Sequence, residues 1–149
     1  MDPALSPTLD IDELADNFSL FDDWEDRYRY IIDLGKKMDP LPEAAKVPAN
    51  KVEGCMSQVW LTSEIHPPAN GGEPILVFHA DSDAHIVRGL LAVLLIVFSG
   101  KTPSEILAVD ADAELARLEL DQHISPNRRN GVASVVRIIR ATAATCSTT

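Results

Sequence analysis

The sequence predicts an α+β domain in which helices pack on a small antiparallel sheet of about three strands. The prediction rests on the order of its patterns: two amphipathic helices, then two short strands joined by a turn, then further helices. The 149 residues, 46% of them hydrophobic, are enough for one domain with its own core. We therefore expect a single domain over residues 1–149, with residues 1–9 and 146–149 loosely ordered.

Two helices are predicted in the first quarter of the chain. Ile11, Leu14 and Phe18 recur at helical spacing, and Asp10 is a suitable N-cap for them. A second helical pattern, in WEDRYRYIIDLGKKM, should end before Pro40 because proline disfavours a helical residue in front of it. The segment DPLPEAAKVPAN then holds three prolines in twelve residues, which predicts an irregular connection.

The strands are predicted in the middle of the chain. Residues 57–65 alternate between two faces, with Val59, Leu61 and Ile65 on the apolar one. The turn-forming segment HPPANGGEP separates them from a second strand, ILVFHA, so the two should form an antiparallel hairpin. A short leading strand at Lys51–Val52 would bring the count to three.

Helical patterns fill the chain after the hairpin. We expect Asp81 or Ser82 to cap a helix that is apolar on nearly every side, lies at the centre of the fold and ends before Gly100. Thr102 and Glu105 match a capping box for the next helix. A short helix is predicted in DADAELARLEL. The long terminal helix should be capped by Ser125 and carry an apolar stripe of Val132, Val135, Val136 and Ile139.

Charge and the length of apolar runs exclude several kinds of partner. The chain has 23 acidic and 13 basic residues, a net charge of −10, so a phosphate-binding face for nucleic acid is not expected. The longest apolar run, residues 90–98, is shorter than the ~20 residues of a membrane-spanning helix, so no membrane partner is expected. The acidic N-terminus is unlike a signal peptide, and two cysteines do not make a disulfide framework. We therefore expect a cytoplasmic protein.

Cys55 is the candidate functional residue. It lies between the proline-rich connection and a predicted strand, where a loop side chain can be presented on a rigid scaffold. Gly54 allows a backbone bend beside it, and Ser57 is near enough in sequence for its hydroxyl to donate to sulfur or to the loop backbone. A reactive thiolate also needs positive surroundings, for which Arg128, Arg129 and a helix N-terminus are candidates. The plain alternative is an inert cysteine buried as a small hydrophobe.

Other site chemistries fit the sequence poorly. A structural zinc or iron–sulfur site needs three or four clustered ligands, and the two cysteines and four histidines lack that spacing, so no metal site is expected. A Cys–His hydrolase would need His79 or His123 as its base, and no oxyanion-hole motif supports one. A glycine-rich phosphate-binding loop followed by a helix is absent from the sequence.

Four segments resemble, in order, the SufE family of sulfur-acceptor proteins. They are WEDRYRYIIDLGKKM, NKVEGCMSQVWL, DSDAHIVRGLLAVLLIVFSGKTPSEIL and HISPNRRNGVASVVRIIR, within a match from about Phe18 to Ala141. The most specific of them is the Gly-Cys-x-Ser-Gln-Val-Trp string at residues 54–60. The resemblance implies a SufE/IscU-like α+β fold.

The resemblance also implies a function. Proteins of this family serve a pyridoxal-phosphate cysteine desulfurase, here SufS-like or CsdA-like. They accept the terminal sulfur of its persulfide on a loop cysteine, raise its turnover, and pass the sulfur to a scaffold for iron–sulfur cluster assembly. The pyridoxal phosphate is on the partner, so this chain is expected to bind no cofactor and to be no stand-alone enzyme. By position Cys55 is the acceptor, supported in its loop by Glu53, Gly54, Met56, Ser57 and Gln58, and Arg128 belongs to a segment for docking or loop shaping.

Two other functions stay open from the sequence. A free-standing thiol enzyme, such as a hydrolase or peroxide reductase using Cys55, would turn over without a partner. A non-catalytic cluster scaffold would bind iron through Cys55, Cys146 or histidines, although their spacing argues against it. A shuttle thiol should be single, since a neighbouring cysteine would resolve its persulfide, and its loop should be mobile. We therefore expect a β-branched residue at Gly54 to slow sulfur uptake while stability stays close to normal.

Overall fold

The computed structural model describes residues 10–54, 57–68 and 72–147, with side chains up to Cys146. These residues form seven α-helices and two strands, which confirms the predicted α+β class. The helices are α1 (Ile11–Ser19), α2 (Trp24–Lys37), α3 (His85–Phe98), α4 (Pro103–Ala108), α5 (Ala111–Arg117), α6 (Leu120–His123) and α7 (Pro126–Ser147), and the strands are β1 (Val59–His66) and β2 (Ile75–Ser82).

The sheet has two strands among the described residues, so the prediction of about three was wrong. β1 pairs with β2 in antiparallel register along all eight residues of each strand. The predicted leading strand at Lys51–Val52 is reduced to a single bridge to Trp60, with one hydrogen bond of 2.8 Å from the Val52 amide to the Val59 carbonyl. It cannot lengthen because a 3₁₀ turn precedes it and Gly54, with φ of +88°, bends the chain away after it.

Only the first part of the predicted apolar face of β1 is buried. Val59 and Leu61 are buried as predicted, whereas Ile65 is 56% exposed. Ile65 pairs with Leu76 of β2, which is fully buried and bridges on its other side to Lys101. At this end of the hairpin the chain around Lys101 pairs with β2 and not with β1. Leu76 of β2 is therefore buried, whereas Ile65 of the outer strand β1 stays exposed.

α3 lies at the centre of the fold, as its all-round apolar character predicts. Nine of its 14 residues are buried, and it packs on β2 and α2. α2 and α3 approach most closely where Gly35 faces Gly89: a Cβ added to Gly89 would lie 2.3 Å from the backbone oxygen of Ile31. The two helices therefore touch backbone to backbone, a contact that only glycine permits.

The predicted N-caps of α3 were wrong. Asp81 and Ser82 lie in β2, and the helix starts after Ala84 without a side-chain cap. Asp81 is 3% exposed, its carboxylate accepts the Leu41 amide over 3.0 Å, and it lies 3.0 Å from the Arg88 guanidinium. The carboxylate thus ties the proline-rich connection to the first turns of α3, because a buried charge needs such partners.

The other helix boundaries agree closely with the sequence. Asp10, Thr102 and Ser125 each accept the amide three residues further on, at 2.8, 3.2 and 3.3 Å, and Glu105 completes the capping box. Gly100 follows α3 with φ of +76°. The stripe predicted for α7 packs on the core, with Val132, Val135 and Ile139 buried and Val136 half-buried.

The ends of the chain were predicted to be loosely ordered. α7 includes Cys146 and Ser147, and Cys146 packs against the core. Residues 1–9 and 148–149 lie outside the described residues. Among the helices of the described part, none combines the length and apolarity that crossing a membrane requires.

Candidate functional site

The loop that carries the predicted acceptor is tied at both of its ends. Cys55 and Met56 themselves lie outside the described residues. The hydrogen bond from Val52 to Val59 closes a loop of six residues, 53–58, at the base of β1. Cys55 is therefore, by sequence, the third residue of a short loop with a fixed base.

A second pair of hydrogen bonds anchors the loop on the side that leads into β1. The backbone amide of Gln58 donates to the Asp83 carboxylate over 3.1 Å, and the backbone amide of Asp83 donates to the backbone carbonyl of Gln58 over 3.4 Å. Asp83 lies between β2 and α3, so the loop is fastened to the start of the central helix. The Gln58 side chain is exposed, as is that of Glu53 at the other end of the loop.

A cavity of about 260 Å³ opens beside this loop. Ser57 of the loop and Val59 of β1 line it on one side, and one face of α3 and the first turns of α7 supply the opposite walls. The apolar lining from the two helices consists of Val87, Leu90, Leu91, Leu94, Val132 and Val135. A small uncharged group held there would be shielded from water on most sides.

The rim of the cavity is polar and positive. Ser125, Asn127 and Arg128, at the start of α7, belong to its lining. The N-terminus of this 22-residue helix carries partial positive charge, and the Arg128 guanidinium makes no ion pair with any described residue. Both features favour a thiolate or persulfide anion at the mouth of the cavity, whereas the exposed Glu53 opposes it.

The structure separates the two arginines that the sequence offered as sources of positive charge. Arg128 lines the cavity, but Arg129 lines a different groove and donates weakly to the Asp121 carbonyl, over 3.4 Å. Consecutive residues point about 100° apart on an α-helix, so only one of them can face the loop.

Position 54 requires glycine because of its backbone conformation and its contact with Ser134. Its φ of +88° lies in the left-handed region, and an added Cβ would lie 2.8 Å from the Ser134 hydroxyl oxygen. Ser134, which is 8% exposed, is held in α7 by donating to the Asn130 carbonyl over 3.0 Å. The loop therefore rests on α7, which contradicts the expectation that a larger residue at Gly54 leaves stability close to normal.

We predict that Gly54→Ala destabilises the protein by about 1–2 kcal/mol, because alanine resists the left-handed conformation and meets Ser134. Urea unfolding followed by circular dichroism measures the change. A Gly54→Ala/Ser134→Ala double variant should recover only the part of the lost stability that is due to the contact with the Ser134 hydroxyl. If Gly54→Ala were as stable as the wild type, the left-handed backbone conformation at residue 54 would be contradicted.

The histidines that the sequence offered as bases do not line the cavity. Glu64 accepts from His66 and His79 on the hairpin, at 3.3 and 3.2 Å, and these bonds hold the pKa of its carboxyl below the ordinary value. His123 stacks on Trp24 with ring centroids 3.9 Å apart. None of the described residues lining the cavity is a histidine, so no base for a Cys–His hydrolase is found there.

Cys146 is remote from the loop. It lies 12 residues beyond Ser134, the α7 residue that the loop meets at Gly54, which separates the Cα atoms of Ser134 and Cys146 by about 18 Å along the axis. It is therefore poorly placed to form a disulfide with a thiol at the cavity. Among the described residues, no group of three or more Cys, His, Asp or Glu could hold a metal ion.

Sequence reasoning missed several residues of the site. Asp83 and Ser134 gave no local signal, since their loop partners are 25 and 80 positions away. The α3 face was predicted as core, and its all-round apolarity could not distinguish the buried side from the side that lines a cavity.

The fold and site define a class: α+β proteins with an apolar, positively rimmed cavity next to the base of a loop whose sequence contains one cysteine. A family model described as SufE, Fe-S metabolism associated domain, matches residues 12–143. A SufE-like protein of Rhizobium meliloti (strain 1021) is 46% identical over 133 residues, 89% of this chain and 94% of the relative. A SufE-like protein of Rhizobium etli is 48% identical over 130 residues, which cover 87% of this chain and 86% of the relative. The chain belongs to the SufE family, which associates it with iron–sulfur metabolism.

A solved structure shows the same fold at low identity. The solution structure of a hypothetical protein from Thermus thermophilus matches with a TM-score of 0.68 and 17% identity, covering 93% of this chain and 96% of that one. The similarity extends over nearly the whole of both chains.

Proposed function

We propose that this chain is a cytoplasmic sulfur carrier that activates a pyridoxal-phosphate cysteine desulfurase of the SufS or CsdA kind. Cys55 takes the sulfur and passes it to a scaffold on which iron–sulfur clusters are built. The observation that carries the proposal is the apolar cavity beside the Cys55 loop, with Arg128 on its rim. The chain needs no cofactor of its own, because pyridoxal phosphate acts on the partner.

The transfer is a thiol–persulfide exchange. The Cys55 thiolate attacks the terminal sulfur of the persulfide on the desulfurase cysteine. A bond forms between Cys55 Sγ and that sulfur, the S–S bond to the donor cysteine breaks, and the donor leaves as a thiolate. No electrons are gained or lost overall, so the step needs no oxidant or reductant. Arg128 and the α7 N-terminus favour the anions on both sides of the exchange.

The cavity supports the carrier role after transfer. A persulfide left in water is exposed to oxidation, which follows thiolate character and accessibility. The apolar walls from α3 and α7 offer shelter for one added sulfur atom. The distance to Cys146 fits a thiol that must stay single, since a nearby thiol would release the sulfur and close a disulfide.

Mass spectrometry of the intact protein tests the proposal. After incubation with a cysteine desulfurase and cysteine, we expect one added sulfur, mapped to the peptide that contains Cys55 and removed by a thiol reductant. The matched control, Cys146→Ser, should gain the same mass. Sulfur found on Cys146, or no added mass, would refute the proposal.

A further inference from the structure

The arginines of α7 differ from the others in having no acidic partner among the residues that the structure describes. The four arginines outside α7 each pair with a carboxylate, in Arg27–Glu119, Arg29–Glu25, Arg88–Asp81 and Arg117–Asp12, at 2.8, 2.9, 3.0 and 2.7 Å. None of the four arginines of α7 forms an ion pair with a described residue, although the chain has 23 acidic residues. α7 has no Asp, Glu or Lys, so it carries +4 while the rest of the chain carries −14.

Three of these arginines line one groove. The groove has a volume of about 740 Å³ and lies between α5, the residues around Ile124, and the face of α7 that carries Arg129, Arg137 and Arg140. Its apolar lining includes Leu115 and Val136. Arg140 is held at one end by donating to the Val109 carbonyl over 3.0 Å, whereas Arg129 and Arg137 have exposed side chains.

We propose that the α5–α7 groove is a docking site for an acidic, amphipathic peptide segment of a partner protein. Carboxylates of that segment would pair with Arg129 and Arg137, and its apolar side chains would cover Leu115 and Val136. The two arginines and Arg140 span about 16 Å along α7, the length of an 11-residue helix. Unpaired guanidiniums on a strongly acidic protein steer an acidic partner to this one face.

Other anionic partners fit the groove less well. Nucleic acid has a charge on every phosphate, so the −14 charge on the rest of the chain would repel it more strongly than a segment with a few carboxylates. The groove also has no aromatic side chain among its described lining residues on which a base could stack. Asp112 and Asp121 in its lining also oppose a continuous phosphate backbone. A protein segment can place its carboxylates at the arginines and avoid these two acids.

Fluorescence anisotropy with a labelled probe tests the docking site. The probe is a 12-residue peptide with glutamate and leucine at helical spacing, and its lysine-for-glutamate counterpart is the reference. We expect the glutamate peptide alone to bind, and Arg129→Glu/Arg137→Glu to weaken its binding about tenfold at low salt. The matched control is Arg29→Glu/Lys37→Glu on α2, which makes the same charge change at the same spacing of eight residues. Its affinity for the glutamate peptide should stay within about twofold of the wild-type affinity.

Each contrary result overturns the proposal. Equal binding of both peptides, or unchanged binding by Arg129→Glu/Arg137→Glu, would show that the arginines do not select an acidic segment. Tighter binding of a 12-nucleotide single-stranded RNA would assign the groove to nucleic acid. Dimerisation that the same double variant abolishes, measured by sedimentation, would assign it to a second copy. The assay contains no desulfurase, so its failure leaves the role of Cys55 unaffected.

Discussion

The Cys55→Ser variant should leave a cysteine desulfurase at the rate of sulfide release that it shows alone, and it should carry no labelled sulfur. Serine keeps the size of the side chain but replaces the thiolate with a hydroxyl, which is not ionised at neutral pH and is a poor nucleophile toward sulfur. We expect sulfur uptake to fall at least about a hundredfold. The measurement is sulfide release with radiolabelled cysteine, followed by counting of the label on the recovered protein.

Two controls make this result specific. Cys146→Ser removes the other thiol, about 18 Å along α7 from Ser134, where the loop meets the helix, and should behave as the wild type. Circular dichroism should show that both variants are folded. Full stimulation by Cys55→Ser would exclude the carrier role. Steady turnover of an ester or a peroxide by the wild type without any desulfurase would favour a free-standing thiol enzyme instead.

The tied base of the loop changes how the thiol is expected to reach its partner. The Val52–Val59 and Gln58–Asp83 hydrogen bonds fix both ends of residues 53–58, and Gly54 rests on Ser134. With so few residues between fixed points, the loop has little length for a large excursion. Under the proposed function we therefore expect the partner to bring its persulfide close to the cavity, beside the exposed start of α7.

Features of this fold that depend on near neighbours in sequence were predicted well. The caps at Asp10, Thr102 and Ser125 and the stripe on α7 depend on residues three or four positions apart, and the structure confirms them. The caps of α3 were wrong because the extended pairing of β2 continues through Asp81, whose partners come from distant segments. Strand ends are set by such long-range pairing.

The sequence offered candidate residues for the site but could not predict its shape. The Cys55 string could be found from local sequence. Charge alone left Arg128 and Arg129 as equal candidates, and only the resemblance to the SufE family singled out Arg128. The cavity exists because α3 and α7, separated by more than 25 residues, pack side by side next to the loop. No periodicity within one element carries that information. The same limit applies to Ser134, whose role depends on its contact with Gly54.

The contact between α2 and α3 predicts the largest effect on stability. A Cβ at Gly89 would lie 2.3 Å from the Ile31 carbonyl oxygen and 2.7 Å from the Ile31 carbonyl carbon, and one at Gly35 would lie 2.6 Å from the Gly89 nitrogen. These are backbone atoms of the facing helix, so relief requires the two helices to move apart. Such a movement would open the packing around the central helix of the core.

Gly89→Ala should therefore destabilise the protein by about 3 kcal/mol or more, even though alanine favours a helix over glycine by about 1 kcal/mol. That loss corresponds to a fall in Tm of about 10 °C, measured by thermal unfolding. Gly72→Ala is the matched control: among the described residues, no atom beyond those of its chain neighbours lies within 4 Å of its added Cβ, and its Tm should stay within about 2 °C of the wild type. If Gly89→Ala were as stable as Gly72→Ala, α2 and α3 would not be in backbone contact, because no side-chain rotation can make room for the added methyl group.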